Sequence, residues 1–456
     1  MTPLDALIAA FPGNPPETDI SDKYRGDWLM RADSHIKPLA LFRPRSTDEV
    51  ARALKICSER RISVVPQGGL TGLTGGAVPS DGALLISLER MAAIEEVDPV
   101  SQLIVVQAGV PLERIQLAAE DAGMMFPLDI GSRGTCQIGG NLSTNAGGNR
   151  VLRYGMARAM VLGLEVVLAD GTIVSSMNRM LKNNAGFDLK QIFIGAEGTL
   201  GIITRAVLRL APKPVAMATA MAALADYPAV EALLAHARAS LGDSLSAFEV
   251  MWPDFYTRAA ARQSGPAPLA DGAGAYVIVE VSTSDDGADT QLGQFLEQAF
   301  ATGIISDAVH AQSVQQTRSL WAIRDRGGEL ISAYDPVGNF DISIATAGIG
   351  NFVDDCRRRL EAILPAIETI FFGHICDGNV HIIAGGFGAE LVEPVEMAVY
   401  ECARDYGGSI SAEHGIGLHK RDHLHLSRTT EEIAAMRRLK VAFDPLGILN
   451  PGKVLA

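Results

Sequence analysis

Cysteine is scarce in this chain, and the few cysteines are spaced in a way that excludes two common kinds of site. The 456 residues include five, an odd number without any C-x-x-C pair: Cys57, Cys136, Cys356, Cys376 and Cys402. A disulfide framework needs paired cysteines, and a thiolate zinc site needs closely spaced ones. We therefore expect free, mainly buried thiols.

The sequence also lacks a net positive charge, long apolar runs and a basic N-terminus. A net charge of -14 repels phosphate backbones and anionic lipid, which argues against nucleic acid or a membrane surface as the main partner. No apolar run approaches the roughly 20 residues that span a bilayer. Asp5 stands where a signal peptide carries lysine or arginine. We expect a cytoplasmic protein.

The chain is rich in apolar residues and glycine. Hydrophobic residues make up 48% and charged residues 20%, as in ordinary globular proteins. The length of 456 residues is about three times the usual single-domain length of roughly 150, so two or three domains are expected. Local signals place helices within them. Ser46 and Glu49 have capping-box spacing, which predicts a helix from Thr47, and Thr429 and Glu432 cap the last helix in the same way.

An α+β fold is predicted, because glycine-lined loops dominate up to about residue 212 and strand-like and helix-like patterns alternate after it. The second region reads β-α-β-β-α-β, with strands at Met217–Met221, Leu245–Met251 and Tyr276–Val281 and helices at Ala229–Ala239 and Gln291–Ala301. This order predicts an antiparallel sheet with a ferredoxin-like pattern.

Two glycine tracts lie in the first region, at residues 66–76 and 131–148. Dense glycine lets many backbone N–H groups approach one ligand. The G-x-G-x-x-G pattern is absent, which excludes the usual dinucleotide-binding fold. Phosphate binding by loop amides and simple turns or close packing both stay open from these tracts alone.

Three segments together resemble the FAD domain of the vanillyl-alcohol-oxidase superfamily: residues 66–79, 134–148 and 193–204. The closest likeness is to the branch of D-2-hydroxyglutarate dehydrogenase, D-lactate dehydrogenase and the glycolate oxidase flavin subunit, from about Pro38 to the C-terminus. The resemblance implies four parts. These are an N-terminal helical segment (1–37), a two-part FAD-binding PCMH-type domain (38–213), a substrate- and metal-binding cap domain with the antiparallel sheet (214–420), and a C-terminal helical segment that returns to the flavin (421–456).

The resemblance also implies which residues contact FAD. They are Pro66, Gln67, Gly68, Gly69, Leu70, Thr71, Gly72, Leu73, Pro127, Gly134, Thr135, Gly139, Gly140, Asn141, Ser143, Thr144, Gly147, Glu197, Gly201, Ile202 and Asn450. Relatives with covalent FAD carry a histidine after the first glycine pair, where this chain has Leu70. A non-covalent flavin is therefore implied.

Two histidines frame a predicted hairpin. Asp377-Gly378 between apolar runs is a strong turn signal. If these are the two central turn residues, His374 pairs directly with His381, which brings their Cβ atoms to roughly 5 Å. Two imidazoles so placed can hold one metal ion. A solvated hairpin with two ordinary polar residues is the alternative that the spacing leaves open.

A second acid and histidine, Glu413 and His414, stand in a glycine-rich loop. The resemblance assigns His374, His381 and Glu413 as ligands of one divalent metal and His414 as the general base. Nitrogen and oxygen ligands suit Zn²⁺, while Mn²⁺, Co²⁺ and Fe²⁺ stay open.

The segment Trp321 to Arg326 resembles the family segment whose first arginine binds the substrate carboxylate. This implies Arg324 for that role, whereas Arg326 is expected to pair with an acid. The implied reaction oxidises a small D-2-hydroxy acid to the 2-oxo acid and transfers electrons to a quinone, a cytochrome or an electron-transfer flavoprotein. A homodimer is left open.

The chain departs from the 2-hydroxyglutarate-specific pattern at three positions. Those members carry a threonine, a lysine and an asparagine where this chain has Gly328, Asn339 and Ile383. A second carboxylate would therefore be poorly matched, and an unmatched buried charge is costly. A monocarboxylate such as D-lactate is favoured over D-2-hydroxyglutarate. A redox-neutral enzyme like ether-lipid synthase and an electron-transfer subunit of a larger complex are the other readings.

Overall fold

The computed structural model describes residues 2–263 and 265–456. The strands are β1 Ala40–Phe42, β2 Val64–Gln67, β3 Leu84–Ser87, β4 Ile94–Asp98, β5 Leu103–Gln107, β6 Met124–Met125, β7 Val161–Val167, β8 Ile173–Ser176, β9 Ile202–Arg209, β10 Ala211–Pro212, β11 Ala216–Leu224, β12 Leu245–Met251, β13 Ala275–Thr283, β14 Asp307–His310, β15 Gly338–Ser343, β16 Glu368–Gly373 and β17 Asn379–Gly385. The α-helices are α1 Pro3–Ala10, α2 Thr47–Arg60, α3 Leu112–Asp121, α4 Ile138–Ser143, α5 Val151–Tyr154, α6 Lys190–Phe193, α7 Tyr227–Leu241, α8 Pro253–Ala260, α9 Ala288–Ala301, α10 Val314–Arg324, α11 Gly327–Ile331, α12 Ile349–Ile363, α13 Val392–Asp405 and α14 Thr430–Phe443. The predicted α+β class is confirmed.

The chain divides into two compact units. The first contains residues 1–148, 154–213 and 413–456, and the second contains residues 149–153 and 214–412. Residues 413–456 thus belong to the first unit, and residues 416–419 are hydrogen-bonded within it. The four-part division expected from the resemblance stays a prediction.

The first unit contains a parallel sheet in the order β1-β3-β2 and a five-stranded antiparallel sheet in the order β4-β5-β9-β7-β8. One apolar core joins residues of both sheets with Leu54 of α2 and Ile115 of α3. The predicted start of α2 is confirmed, since the Ser46 side chain accepts the N–H of Glu49. Thr429 and Glu432 form the predicted capping box of α14.

The second unit is built on one seven-stranded antiparallel sheet in the order β14-β11-β13-β12-β16-β17-β15. The predicted antiparallel sheet is therefore confirmed. Helix α8 interrupts the predicted element order between β12 and β13, and β15 to β17 extend the sheet. The ferredoxin-like pattern stays a prediction.

The cysteines follow the sequence-based expectation. All five are free thiols; Cys376 is partly buried, and Cys57, Cys136, Cys356 and Cys402 are buried. Burial raises the pKa of the Cys57 thiol to about 12, so this thiol stays protonated. Within the described part of the chain, no helix has the length and apolarity required to cross a bilayer.

Candidate functional site

The first unit brings the two glycine tracts together. Gly68 faces Gly140 of the second tract, whose Cα would lie 3.7 Å from a Cβ added at Gly68. At Gly69 an added Cβ would collide with the carbonyl oxygen of Thr135. Glycine at this position thus allows two backbones to approach closely. At Gly140 an added Cβ meets no atom within 4 Å, so one side of the second tract is open.

The third motif is hydrogen-bonded to the same tracts. The backbone N–H of Glu197 donates to Ser143 over 2.8 Å. The Asn450 side chain, from the C-terminal segment, donates to the carbonyl oxygens of Gly76 (3.0 Å) and Glu197 (2.8 Å). Segments that are far apart in sequence therefore meet around one loop cluster.

The backbone of this cluster is strained at non-glycine residues. Leu70, Asn145, Glu197 and Asn450 all have positive φ, between 43° and 59°. Such conformations are uncommon for residues with a side chain and concentrate at functional sites. The cluster is therefore the strongest candidate site of the first unit.

The hydrogen-bonding groups of the cluster suit an extended ligand with phosphates. Among the described residues, the backbone N–H groups of 68–74 donate to no protein acceptor. Buried side-chain oxygens of Gln67, Gln137 and Asn141 also lack a partner. Most residues of the 68–74 loop are partly exposed, so their N–H groups are accessible to a ligand, and a loop with this many free donors fits a bound diphosphate.

Some of the expected FAD residues also make contacts within the protein. An added Cβ at Gly201 would meet Val166 at 2.5 Å, so this glycine allows close packing of two strands. Ile202 is buried in β9 and pairs with Val167. The Ser143 hydroxyl donates to the carbonyl oxygen of Gly139. Contact of these residues with FAD stays a prediction.

Glu413 and His414 belong to the first unit, where they lie against the glycine tracts. An added Cβ at Gly147 would collide with the Glu413 carboxylate. The carbonyl oxygen of His414 accepts the Thr74 hydroxyl over 3.3 Å. The predicted ligand and the predicted base are therefore held beside the loops that are expected to bind FAD.

The histidine hairpin differs in register from the prediction. Direct pairing of His374 with His381 is wrong, because His381 pairs with Phe372. The type I′ turn that Asp-Gly favours needs positive φ at both central positions, and of the pair only Gly378 has it. Residues 374–378 instead form the connection. The register shifts by two residues, so the side-chain face is kept. The two imidazole centroids still lie 5.3 Å apart.

A buried carboxylate and a guanidinium flank His374. Nδ1 of His374 lies 2.7 Å from Glu249 Oε1, and both Nε and Nη2 of Arg324 lie 2.8 Å from Glu249 Oε2. Nη2 of Arg324 is also 3.4 Å from Nε2 of His374. Burial would raise the pKa of Glu249, but the attraction of His374 and Arg324 lowers it below its usual value. The second unit thus places the Arg324 cation beside Nε2 of the His374 imidazole.

The second histidine has a comparable environment. Asp341 on β15 is the cross-strand partner of His381, with Oδ1 3.7 Å from Nδ1. Phe372 packs on the His381 ring at 4.9 Å between centroids, and the guanidinium of Arg324 lies over Phe372 at 4.8 Å. Arg326 pairs with Glu329, as expected.

Sequence reasoning missed Glu249 and Asp341. Both are acids inside apolar strands, and Glu249 is 125 residues from His374. One sequence signal could have found them, because each is a charged residue at a strand position that its apolar neighbours predict to be buried. A buried acid needs a partner, so such a position indicates a paired or functional carboxylate.

Family models match both parts of the chain. Residues 38–176 match the FAD binding domain, and residues 213–454 match the FAD linked oxidases, C-terminal domain. The second match covers more than half of the chain.

Relatives that match along most of the chain indicate the same family. D-2-hydroxyglutarate dehydrogenase, mitochondrial, from Bos taurus is 40% identical over 432 residues, which cover 94% of this chain and 78% of the relative. D-2-hydroxyglutarate dehydrogenase from Xanthomonas citri is 36% identical over 458 residues, with 98% and 96% covered.

Solved structures show the same fold. p-Cresol methylhydroxylase matches with a TM-score of 0.78 at 17% identity and covers 99% of this chain and 96% of its own. Alkyldihydroxyacetonephosphate synthase matches with a TM-score of 0.71 at 18% identity, with 91% and 76% covered. With both domain models matched in order along one chain, the protein belongs to the FAD-linked oxidase family and has its PCMH-type two-domain fold.

Proposed function

We propose that the protein is an FAD-dependent dehydrogenase that oxidises a D-2-hydroxy acid with one carboxylate to the 2-oxo acid. The observation that carries this proposal is the 3.4 Å separation between Arg324 Nη2 and His374 Nε2. A 2-hydroxy acid has a carboxylate next to a hydroxyl, so it needs a cation beside a site that binds oxygen.

FAD would be held by the loop cluster of the first unit. The free N–H groups of residues 68–74 suit the diphosphate, and the side chain of Leu70 has no nucleophile for a covalent bond. When bound, FAD supplies the two-electron oxidant that accepts a hydride from the substrate carbon.

A divalent metal is proposed at His374, His381 and Glu413. In the second unit Nδ1 of His374 lies within hydrogen-bond distance of the buried Glu249 carboxylate, the arrangement that orients metal-binding histidines in proteins, and the buried Asp341 carboxylate lies 3.7 Å from Nδ1 of His381. Ala412, the residue before Glu413, donates its N–H to Asp341, the cross-strand partner of His381. The donor set therefore fits Zn²⁺ or a similar ion. When bound, such an ion lowers the pKa of the substrate hydroxyl.

Two residues of the chain would bind the substrate and remove its hydroxyl proton. Arg324 binds the carboxylate through the edge of its guanidinium that Glu249 leaves free. His414 takes the hydroxyl proton as general base. The electrons pass on to a quinone, a cytochrome or an electron-transfer flavoprotein.

The end of the substrate that is farther from the carboxylate and the 2-hydroxyl group is proposed to be uncharged. Asn339 and Ile383 are direct cross-strand partners next to Asp341 and His381, and both lack charge. Ile383 is buried in an apolar cluster with Phe372 and Ile370. An additional carboxylate at this position would be desolvated without a cation. D-2-Hydroxyglutarate is the second candidate, because relatives with that name are 35–40% identical.

Anaerobic reduction of the flavin tests the proposal. D-lactate and D-2-hydroxybutyrate should bleach the flavin at lower concentrations than D-2-hydroxyglutarate does, and L-lactate serves as the stereochemical control. Asn339→Lys should shift the preference toward D-2-hydroxyglutarate by supplying a cation. If D-2-hydroxyglutarate bleached the wild-type flavin faster, it would replace the monocarboxylate as the proposed substrate. A flavin that no 2-hydroxy acid reduces would overturn the dehydrogenase and favour the redox-neutral reading.

A further inference from the structure

Glu249 is a single buried carboxylate that holds two groups with different roles. Oε1 lies 2.7 Å from His374 Nδ1, and Oε2 accepts Nε and Nη2 of Arg324 at 2.8 Å each. Its side chain is 1% exposed. Both of its oxygens are therefore used inside the protein.

The contact with Glu249 fixes the tautomer of His374. An ionised carboxylate only accepts hydrogen bonds, so Nδ1 must donate. The lone pair of a neutral ring then lies on Nε2, the nitrogen beside Arg324. The same carboxylate occupies one edge of the guanidinium and leaves Nη1 for a ligand.

The backbone of Glu249 is held in a central strand. It lies in β12, between β13 and β16 in the sheet; Glu249 pairs with Ile278 of β13, and the next two residues of β12 pair with β16. With the backbone held in this way, the main remaining freedom is rotation of the side-chain carboxylate. Because both oxygens belong to one group, a rotation that follows His374 also changes the geometry at Arg324.

We propose that Glu249 is a positioning residue that couples metal binding at His374 to carboxylate binding at Arg324. This inference rests on the proposed function. Coupling between two ligands is reciprocal, so the metal raises the affinity for the carboxylate by the same factor as the carboxylate raises the affinity for the metal. A merely structural role, in which Glu249 only neutralises Arg324, would leave the metal affinity unchanged.

Titration of the metal-free, FAD-loaded protein with Zn²⁺ tests the coupling without turnover. Glu249→Gln keeps the size of the side chain but presents a donor to one of the two partners. Zn²⁺ affinity should fall by about 10- to 100-fold, the usual effect of removing a residue that orients a metal ligand. Zn²⁺ should also raise the affinity of the wild type for pyruvate, and this gain should shrink in the variant.

Glu280→Gln is the matched control. Glu280 is also buried, on the neighbouring strand β13, and it accepts Ser246, Thr219 and Trp321 instead of His374 or Arg324. Its variant should bind Zn²⁺ as the wild type does. An equal loss of Zn²⁺ affinity in both variants would reduce the effect to general damage and overturn the inference.

The outcomes separate the inference from the proposed function. Unchanged Zn²⁺ affinity in Glu249→Gln overturns the coupling. Flavin reduction by 2-hydroxy acids tests the proposed dehydrogenase activity independently of this result. A wild type that binds no Zn²⁺ overturns the coupling and the metal site together. If Glu249→Gln does not fold, ¹⁵N spectra of the wild type decide instead: protonation of Nδ1 in His374 supports the inference, and protonation of Nε2 overturns it.

Discussion

Glu197 accepts the backbone N–H of Ile416 over 2.7 Å through one carboxylate oxygen and that of Gly417 over 2.9 Å through the other. Its own N–H donates to Ser143 in the second glycine tract. One buried residue therefore joins the expected flavin loops to the segment that begins with Glu413 and His414. Burial raises the pKa of Glu197, although the two N–H groups and Lys420 oppose the shift.

Replacing Glu197 with glutamine should loosen this segment. The amide group turns an NH2 toward one of the two N–H donors, so a charge-assisted bond is lost and a buried donor is left unpaired. We expect a loss of about 1–3 kcal/mol in the stability of the first unit, seen as a lower thermal midpoint. Glu96→Gln, which removes an exposed pair with Arg179, is the control and should change stability by less than about 1 kcal/mol. Equal midpoints for Glu197→Gln and the wild type would contradict the role of Glu197.

The purified protein should be yellow and should release its FAD on denaturation. Leu70 packs against the apolar cluster around Val65 and offers no atom that could form a covalent bond to the flavin. After acid precipitation, the flavin spectrum should appear in the supernatant. Flavin that stays in the pellet would contradict the non-covalent assignment, and a colourless protein that takes up no added FAD would contradict flavin binding.

Metal removal should abolish turnover and leave the flavin bound. His374→Ala and His381→Ala change the second unit only, so both variants should keep the FAD spectrum of the wild type. Metal analysis should find about one ion per chain. Glu413→Ala should also lose the metal, and it additionally opens space beside Gly147. Full activity in a thoroughly metal-free preparation would disprove the metal site.

Arg324→Lys should weaken substrate binding more than it slows flavin reduction. Lysine keeps the charge but loses the planar fork, and it cannot contact Glu249 and a carboxylate at the same time in the same geometry. The substrate concentration at half-maximal reduction should rise about tenfold or more, since a charged hydrogen bond contributes about 1.5–3 kcal/mol. Arg326→Lys, at the exposed pair with Glu329, is the matched control and should leave this concentration unchanged.

Local rules predicted the helix starts well, because a cap depends on four consecutive residues. Thr429 and Glu432 form the reciprocal bonds that their spacing predicts. The same rules failed at the hairpin, where Asp377-Gly378 matches a two-residue turn. Asp377 instead uses its carboxylate to accept the N–H of Asn379 within a longer turn. The pairing of His374 and His381 was wrong, yet their shared face was retained because the shift was two residues.

The groups around the predicted site could not be found from local pattern. Glu249 is fixed to His374 and Arg324 by the order of strands in the sheet, and strand order is a long-range property. Asp341 faces His381 because β15 pairs with β17 across an intervening helix and strand. Neither the contact between Glu249 and His374 nor that between Asp341 and His381 can be derived from the spacing of these residues in the sequence. Residue types and the family resemblance could identify the histidines, whereas the carboxylates beside them could be found only in the three-dimensional arrangement.

The rate of anaerobic flavin reduction in His414→Ala, measured by stopped flow with saturating metal and substrate, tests the proposed mechanism most directly. The variant should keep both FAD and metal but reduce its flavin about 10²–10⁴-fold more slowly than the wild type, the range for removing one acid–base group. Substrate affinity should change less, because Arg324 still binds the carboxylate. Reduction at near wild-type speed would show that another group takes the hydroxyl proton and would contradict the proposed mechanism.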